Sequence, residues 1–311
     1  MCLCFSAYGG YSRVDGNWSP ERYAPEYSVA EHFDYGSQAL EKQNWQEAHT
    51  HFMTICYHFK DSPFYADAVY FCGVENFEKG ELDEANVQFN TYLQLPGRLK
   101  HFESVFSHKY EIAEAYRTGK KKHIFGVRQM PRLFPGGGDA LVIYDEILAA
   151  LPGKELSAKA LFGKGKLLFK RKDYRESIEA LQTLSRRFPR HSLSAEGYLV
   201  IGEVYLKQSD LEAQNPDLIA LAGVNLNKFK QAFPGDSRHA LAAANVSQMR
   251  ENYAMSLYQT GRFYERKKKP NASEIYYQDT IRKFSETEAA HKSQERLSSM
   301  GLSAAQALAM S

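Results

Sequence analysis

Tryptophan is nearly absent from this chain, with two residues in 311, and cysteine is scarce at four. Four cysteines at Cys2, Cys4, Cys56 and Cys72 make no disulfide framework. Cys56 and Cys72 fall in successive helices and could meet; two buried free thiols is the preferred reading. No run of 18 apolar residues occurs, so the sequence carries no membrane-spanning helix. A dominant charge is missing too: 39 Lys and Arg face 37 Asp and Glu, for a formal net charge of +2. That balance gives no field for nucleic acid or an anionic membrane surface. Motifs of chemistry are also lacking. Gly163-Lys164-Gly165-Lys166 has neither the spacing nor the Ser/Thr of a phosphate-binding loop. No HExxH or paired CxxC is present, and His49 and His51 fall on different faces of one helix. No cofactor and no metal are implied, and no enzyme activity is expected.

What the chain does have is 43% hydrophobic residues, 20 Tyr and 19 Phe, and a recurring phrase. A small residue is followed four positions later by an aromatic or aliphatic residue, three later by another, and four later by Phe or Leu. Pro often comes next. The clearest copy is Ser177, Leu181, Leu184, Phe188-Pro189. Others are Ala48, Phe52, Ile55, Phe59; Ala140, Tyr144, Ile147, Leu151-Pro152; Ala222, Leu226, Phe229, Phe233-Pro234; and Ser273, Tyr277, Thr280, Phe284. A sixth copy, Ala85, Phe89, Tyr92, reaches Leu95-Pro96 one residue early. The 4-3-4 spacing keeps these residues on one helix face, and Pro ends the helix. Repetition of such a unit predicts a solenoid, an architecture that presents surfaces to other proteins.

The expected fold is all-α with no sheet: a right-handed α-solenoid of about six helix pairs with a C-terminal capping helix. Residues 1–27, broken by Gly9, Gly10, Gly16, Pro20 and Pro25, read as a disordered lead. N-terminal repeats follow over 28–152, with an insertion near 117–138 that interrupts the third pair. Lys120, Lys121 and Lys122 and the run Gly136, Gly137, Gly138 make that insertion a mobile surface loop. Central repeats occupy 153–235. A last repeat and capping helix occupy 236–300, and 301–311 is a tail. Gly36, Gly73, Gly165 and Gly202 sit at one phase of the first helices, where a facing helix can approach closely.

Paired helices with a small residue at the crossing and Pro at the end resemble the tetratricopeptide repeat, without that family's usual Trp. The C-terminal segment carries a more specific resemblance. A long helix ends in Phe263-Tyr264, and a short turn leads to a helix that starts with small residues. An aromatic stop, Phe284-Ser285-Glu286-Thr287, precedes the last helix. This arrangement resembles the BamD family, the lipoproteins of the outer-membrane β-barrel assembly machine. Ser285 stands where the family pattern has Pro, and Tyr276 where many members carry Arg. The resemblance covers about residues 28–300, and its distinguishing part is the last fifty or so.

By that resemblance the chain is a non-enzymatic scaffold on the periplasmic face of the outer membrane. Its partners would be the barrel-forming assembly subunit and nascent outer-membrane proteins, with no nucleic acid and with membrane contact only through a lipid anchor. Cys2 and Cys4 are the acylation candidates if a signal segment precedes them. Inward-facing positions of the first helices, Phe33, Ser37, Leu40, Tyr70, Val74, Phe77 and Tyr110, are candidates for a client peptide groove. Phe263, Tyr264, Lys267, Lys268 and Lys269 are candidates for partner docking, one aromatic being core and the other available with the lysines to an acidic surface. Two alternatives stand beside this reading. One is a periplasmic repeat adaptor like the coordinator that works with the Tol system. The other is an enzyme with a site in the third-repeat insertion, although nothing there pairs a nucleophile with a base.

Overall fold

In the computed structural model, residues 11–14, 17–20, 23–123 and 131–301 are described. Two compact units divide the chain, 1–150 and 151–311. The fold is all-α, with tetratricopeptide-like helix pairs and thirteen helices among the described residues.

The first unit holds three pairs: α1 (Val29–Glu41) with α2 (Trp45–His58), α3 (Tyr65–Glu78) with α4 (Leu82–Leu93), and α5 (Phe102–Thr118) with α6 (Gly137–Ala150). A capping box starts α1: Ser28 accepts from the Glu31 amide while the Glu31 carboxylate accepts from the Ser28 amide. The second unit holds α7 (Glu155–Arg171) with α8 (Tyr174–Arg187) and α9 (Ser192–Leu211) with α10 (Asp217–Ala232). It continues with the long α11 (His239–Arg266) against α12 (Pro270–Lys283), closed by α13 (Glu288–Ser299).

The recurring phrase is the core. Phe52, Ile55, Phe89, Tyr92, Tyr144, Ile147, Leu181, Leu184, Phe229 and Tyr277 are all fully buried. The small residues that open the phrase are buried as well, because helix pairs cross there. A Cβ on Gly73 would lie 2.6 Å from the Phe89 ring, and one on Gly165 would lie 2.6 Å from Leu181. Gly202 differs from these: the nearest atom to a Cβ there would be 3.7 Å away, on Asn245 of α11. Hydroxyls bind the repeats further. Ser157 donates to the Leu151 carbonyl at 2.6 Å, and Ser194 donates to the Phe188 carbonyl at 2.6 Å. In both places a serine six residues after the phrase's last apolar residue satisfies the carbonyl left free by the ending helix.

Two features differ from the expectation of helices alone. Strands β1 (Tyr11–Val14) and β2 (Asn17–Pro20) form an antiparallel hairpin inside the segment expected to lack regular structure. Just after it, Tyr23 is buried, stacks on Tyr57 with ring centroids 5.3 Å apart, and meets His49 Nε2 through its hydroxyl. Short Gly-broken segments give no period to read, yet one aromatic side chain is enough to tie down the chain leading into α1.

The second difference is the insertion. Strands β3 (Lys121–His123) and β4 (Arg132–Pro135) pair antiparallel, and ion pairs dock them on the α3–α4 turn and the first turns of α4 and α6. Lys122 reaches Asp139 at 2.8 Å and Asp83 at 3.6 Å, while Arg132 reaches Glu81 at 2.7 Å and the Gly80 carbonyl at 3.1 Å. The described part of the segment read as a mobile loop is therefore anchored by charge. Lys122, read as part of that loop, has carboxylates within its own chain.

Candidate interaction surfaces

In the first unit, most side chains named for the client groove pack inward. Phe33 and Leu40 lie against the core cluster of α1, α2 and α3, and the Phe33 ring sits 4.8 Å from that of Phe64. Ser37 donates to the Phe33 carbonyl. Tyr70 is buried and stacks on His101, with centroids 4.0 Å apart and planes 5° from parallel. Phe77 is half-buried edge-on to His108, and Val74, between Tyr70 and Phe77 on α3, is half-buried as well. Tyr110 is half-buried, and burial followed by the nearby Glu114 carboxylate pushes its hydroxyl up to about 12.

Two buried ionic sites hold this unit together, and sequence reasoning named neither. Glu75 is fully buried, with His49 Nδ1 at 2.6 Å on one oxygen and the Lys79 ammonium on the other. Lys109 is also fully buried, between Asn90 on α4 and Glu146 on α6. Burial lowers the Lys109 pKa, and its hydrogen bond and charge interaction with Glu146 oppose that. Charges this deep persist only when paired. No periodicity announces them, because each falls at a helix position that a leucine would also fit.

In the second unit, the C-terminal candidates divide between packing and exposure. Tyr264 is half-buried and stacks on Tyr276, with centroids 5.5 Å apart and planes 12° from parallel. Phe263 is 46% exposed, with the Lys267 ammonium 5.7 Å from its ring centroid. Lys267, Lys268 and Lys269 are all exposed, and Ile275 beyond them is 62% exposed. Tyr276 thus serves as the stacking partner of Tyr264.

The base under this surface is rigid. The Glu265 carboxylate takes the Tyr277 hydroxyl at 2.7 Å and pairs with Arg296 on α13. The Arg296 hydrogen bond, with help from Tyr277, lowers the Glu265 pKa. Glu251 on α11 accepts from the amides of Glu288 and Ala289 at 2.8 and 3.1 Å, which caps the start of α13. Phe284 and Ala289 then pack on Ala254. The last turn of α11 is held from two sides while its end stays open to solvent.

Among the described residues, no group of three or more His, Cys, Asp or Glu is placed to hold a metal ion. None of the described helices is long and apolar enough to cross a membrane. Cys2 and Cys4 lie outside the described residues.

The described residues thus define a tetratricopeptide-like helical-repeat protein in which the exposed Phe263 lies beside Lys267, Lys268 and Lys269 at the end of α11. The chain belongs to the YfiO family of outer membrane lipoproteins, the BamD-like family, whose sequence profile matches residues 144–309, more than half of the chain. Membership supports association with the outer membrane. No curated protein matches the chain.

Proposed function

We propose that this chain is a non-enzymatic scaffold of the machinery that assembles β-barrel proteins in the outer membrane. It would sit on the periplasmic face, held by lipid on Cys2 or Cys4. Its C-terminal pairs would bind the periplasmic domain of the barrel-forming subunit, and its N-terminal pairs would take segments of nascent outer-membrane proteins. The observation that carries the reading is the family match over residues 144–309, which includes the exposed Phe263 with Lys267 over its ring. A partly exposed aromatic beside three lysines on a rigid helix end suits an acidic partner surface with an apolar contact at its centre.

The test is affinity capture with the full-length chain from its native host. Recovery of a barrel-forming outer-membrane subunit, reduced by K267E/K268E/K269E, is expected. Recovery of a Tol component instead would transfer the protein to the adaptor reading.

A further inference from the structure

A cavity of about 420 Å³ opens in the second unit between α7, the start of α8, and α9. Neither the recurring phrase nor the C-terminal docking surface accounts for it. Phe169, Tyr174 and Val200 supply its apolar floor, and all three are only half-buried. Lys166, Lys172 and Lys207 stand around it, all exposed.

Two of these lysines lack a carboxylate. Among the described residues, neither Lys166 nor Lys172 forms an ion pair, although Lys166 lies 5.3 Å from the Phe162 ring centroid. Among the described residues Lys207 pairs with Asp210 alone, at 3.4 Å and with both groups largely exposed, a pair that contributes little in water. The single carboxylate of the lining, Glu203, sits one helical turn before Lys207 and takes no ion pair among the described residues. The rim therefore carries an excess of positive charge in a chain that is otherwise nearly neutral.

We propose that this trough is a docking site for an acidic peptide segment of another protein, which seats one large apolar side chain on Phe169, Tyr174 and Val200. Carboxylates on either side of that side chain would meet the lysines. The spacing suits an extended chain. The backbones of Lys166 in α7 and Lys172, its C-cap, are about 9 Å apart along the helix axis at 1.5 Å per residue. Two carboxylates two or three residues apart in an extended strand span about 7–10 Å. An anionic lipid headgroup would meet the same lysines but would leave the aromatic floor wet, so a peptide is the better occupant. The site is distinct from the end of α11, and its test needs no barrel subunit, so each reading can fail without the other.

The experiment titrates the full-length chain into a fluorescein-labelled pentapeptide, Phe flanked by two Glu on each side, and reads fluorescence anisotropy. Saturable binding is expected, weakening as salt is raised. K166E/K207E should lower the affinity about tenfold, the sum of two partly screened contacts. E203Q should raise it, an opposite effect that a merely unfolded variant cannot produce. Circular dichroism of each variant confirms that the helices remain. Replacing the peptide Phe with Ala should also weaken binding. The proposal is overturned if a peptide with Lys in place of Glu binds as well, or if K166E/K207E leaves the affinity unchanged. It is likewise overturned if the Ala peptide binds equally and phosphatidylglycerol vesicles compete, which would make the site a headgroup site.

Discussion

A Cβ placed on Gly261 would lie 2.6 Å from the ring of Tyr277, a wholly buried residue sixteen positions along the chain. The same separation recurs between Gly36 and Phe52, Gly73 and Phe89, and Gly165 and Leu181. In each pair the first helix gives up its side chain so that the second can lay a large apolar group against its backbone. Tyr277 has little room to retreat, because its hydroxyl is held by Glu265.

Gly261→Ala should therefore destabilise the second unit. Overpacking costs about 1–3 kcal/mol, against a gain of about 1 kcal/mol in helix propensity. A net loss of up to about 2 kcal/mol in urea unfolding is expected. A rise in stability would mean that the crossing relaxes freely.

Phe229 and Phe188 hold different places in the repeat, and their removal should cost different amounts. Phe229 is fully buried between Tyr198 and His239, and Phe229→Ala should cost about 3–5 kcal/mol. Phe188, at the end of α8, is only half-buried, and Phe188→Ala should cost less. Equal losses from the two variants would contradict this ordering of the core.

Acid should weaken the first unit near neutral pH. His32 is buried, with its Nδ1 2.9 Å from that of His51. Burial lowers the pKa of both, and the charges of His51 and His58 depress His32 further. Glu26 and Glu31 oppose this at His32, and Glu47 and Glu26 at His51. The unfolded chain, with histidine near 6.5, thus takes up protons first. Stability is fully present above about pH 6.5 and declines as pH falls from there through the lower folded values. Thermal melts at pH 7.5 and 5.5 should show the decline, and His51→Asn should flatten it. A melting temperature that rises on acidification would contradict the sign.

The Cys72 thiol should resist alkylation. It is wholly buried, and its hydrogen bond with Cys56, then burial, raise its pKa well above the ordinary value. Iodoacetamide at pH 8 followed by peptide mass mapping should leave Cys72 unlabelled until the protein is unfolded. Rapid labelling of the folded protein would show that α3 opens readily.

Phe263→Ala should separate docking from folding. The ring is 46% exposed, so stability should change by less than about 0.5 kcal/mol. Binding to the barrel subunit's periplasmic domain should weaken nonetheless, and K267E/K268E/K269E should slow association and reverse its salt dependence. Unchanged binding in both variants would move the interface elsewhere.

Helix periodicity made the repeat architecture readable. Ser177, Leu181 and Leu184 can share a face only in a helix, and the Pro after Phe188 can only end one. Gly73 and Gly165 were legible for the same reason. Gly261, which makes the same contact, sits late in the long α11, where a shared phase is harder to see. At the candidate docking surface, the pairing of Phe263 with Tyr264 was visible in the chain. Which ring packs and which stays exposed depended on Tyr276, contributed by the following helix.

The sequence alone determined the helices, their pairing order and the apolar face of each, because those properties depend on spacing within a few turns. Tertiary structure decided the rest. Glu75 meets His49 across 26 residues, and Arg132 meets Glu81 across 51. The lysine-rimmed trough exists only where α7 and α9 face one another. Long side chains form such contacts through distance and burial in space, and neither quantity leaves a period along the chain.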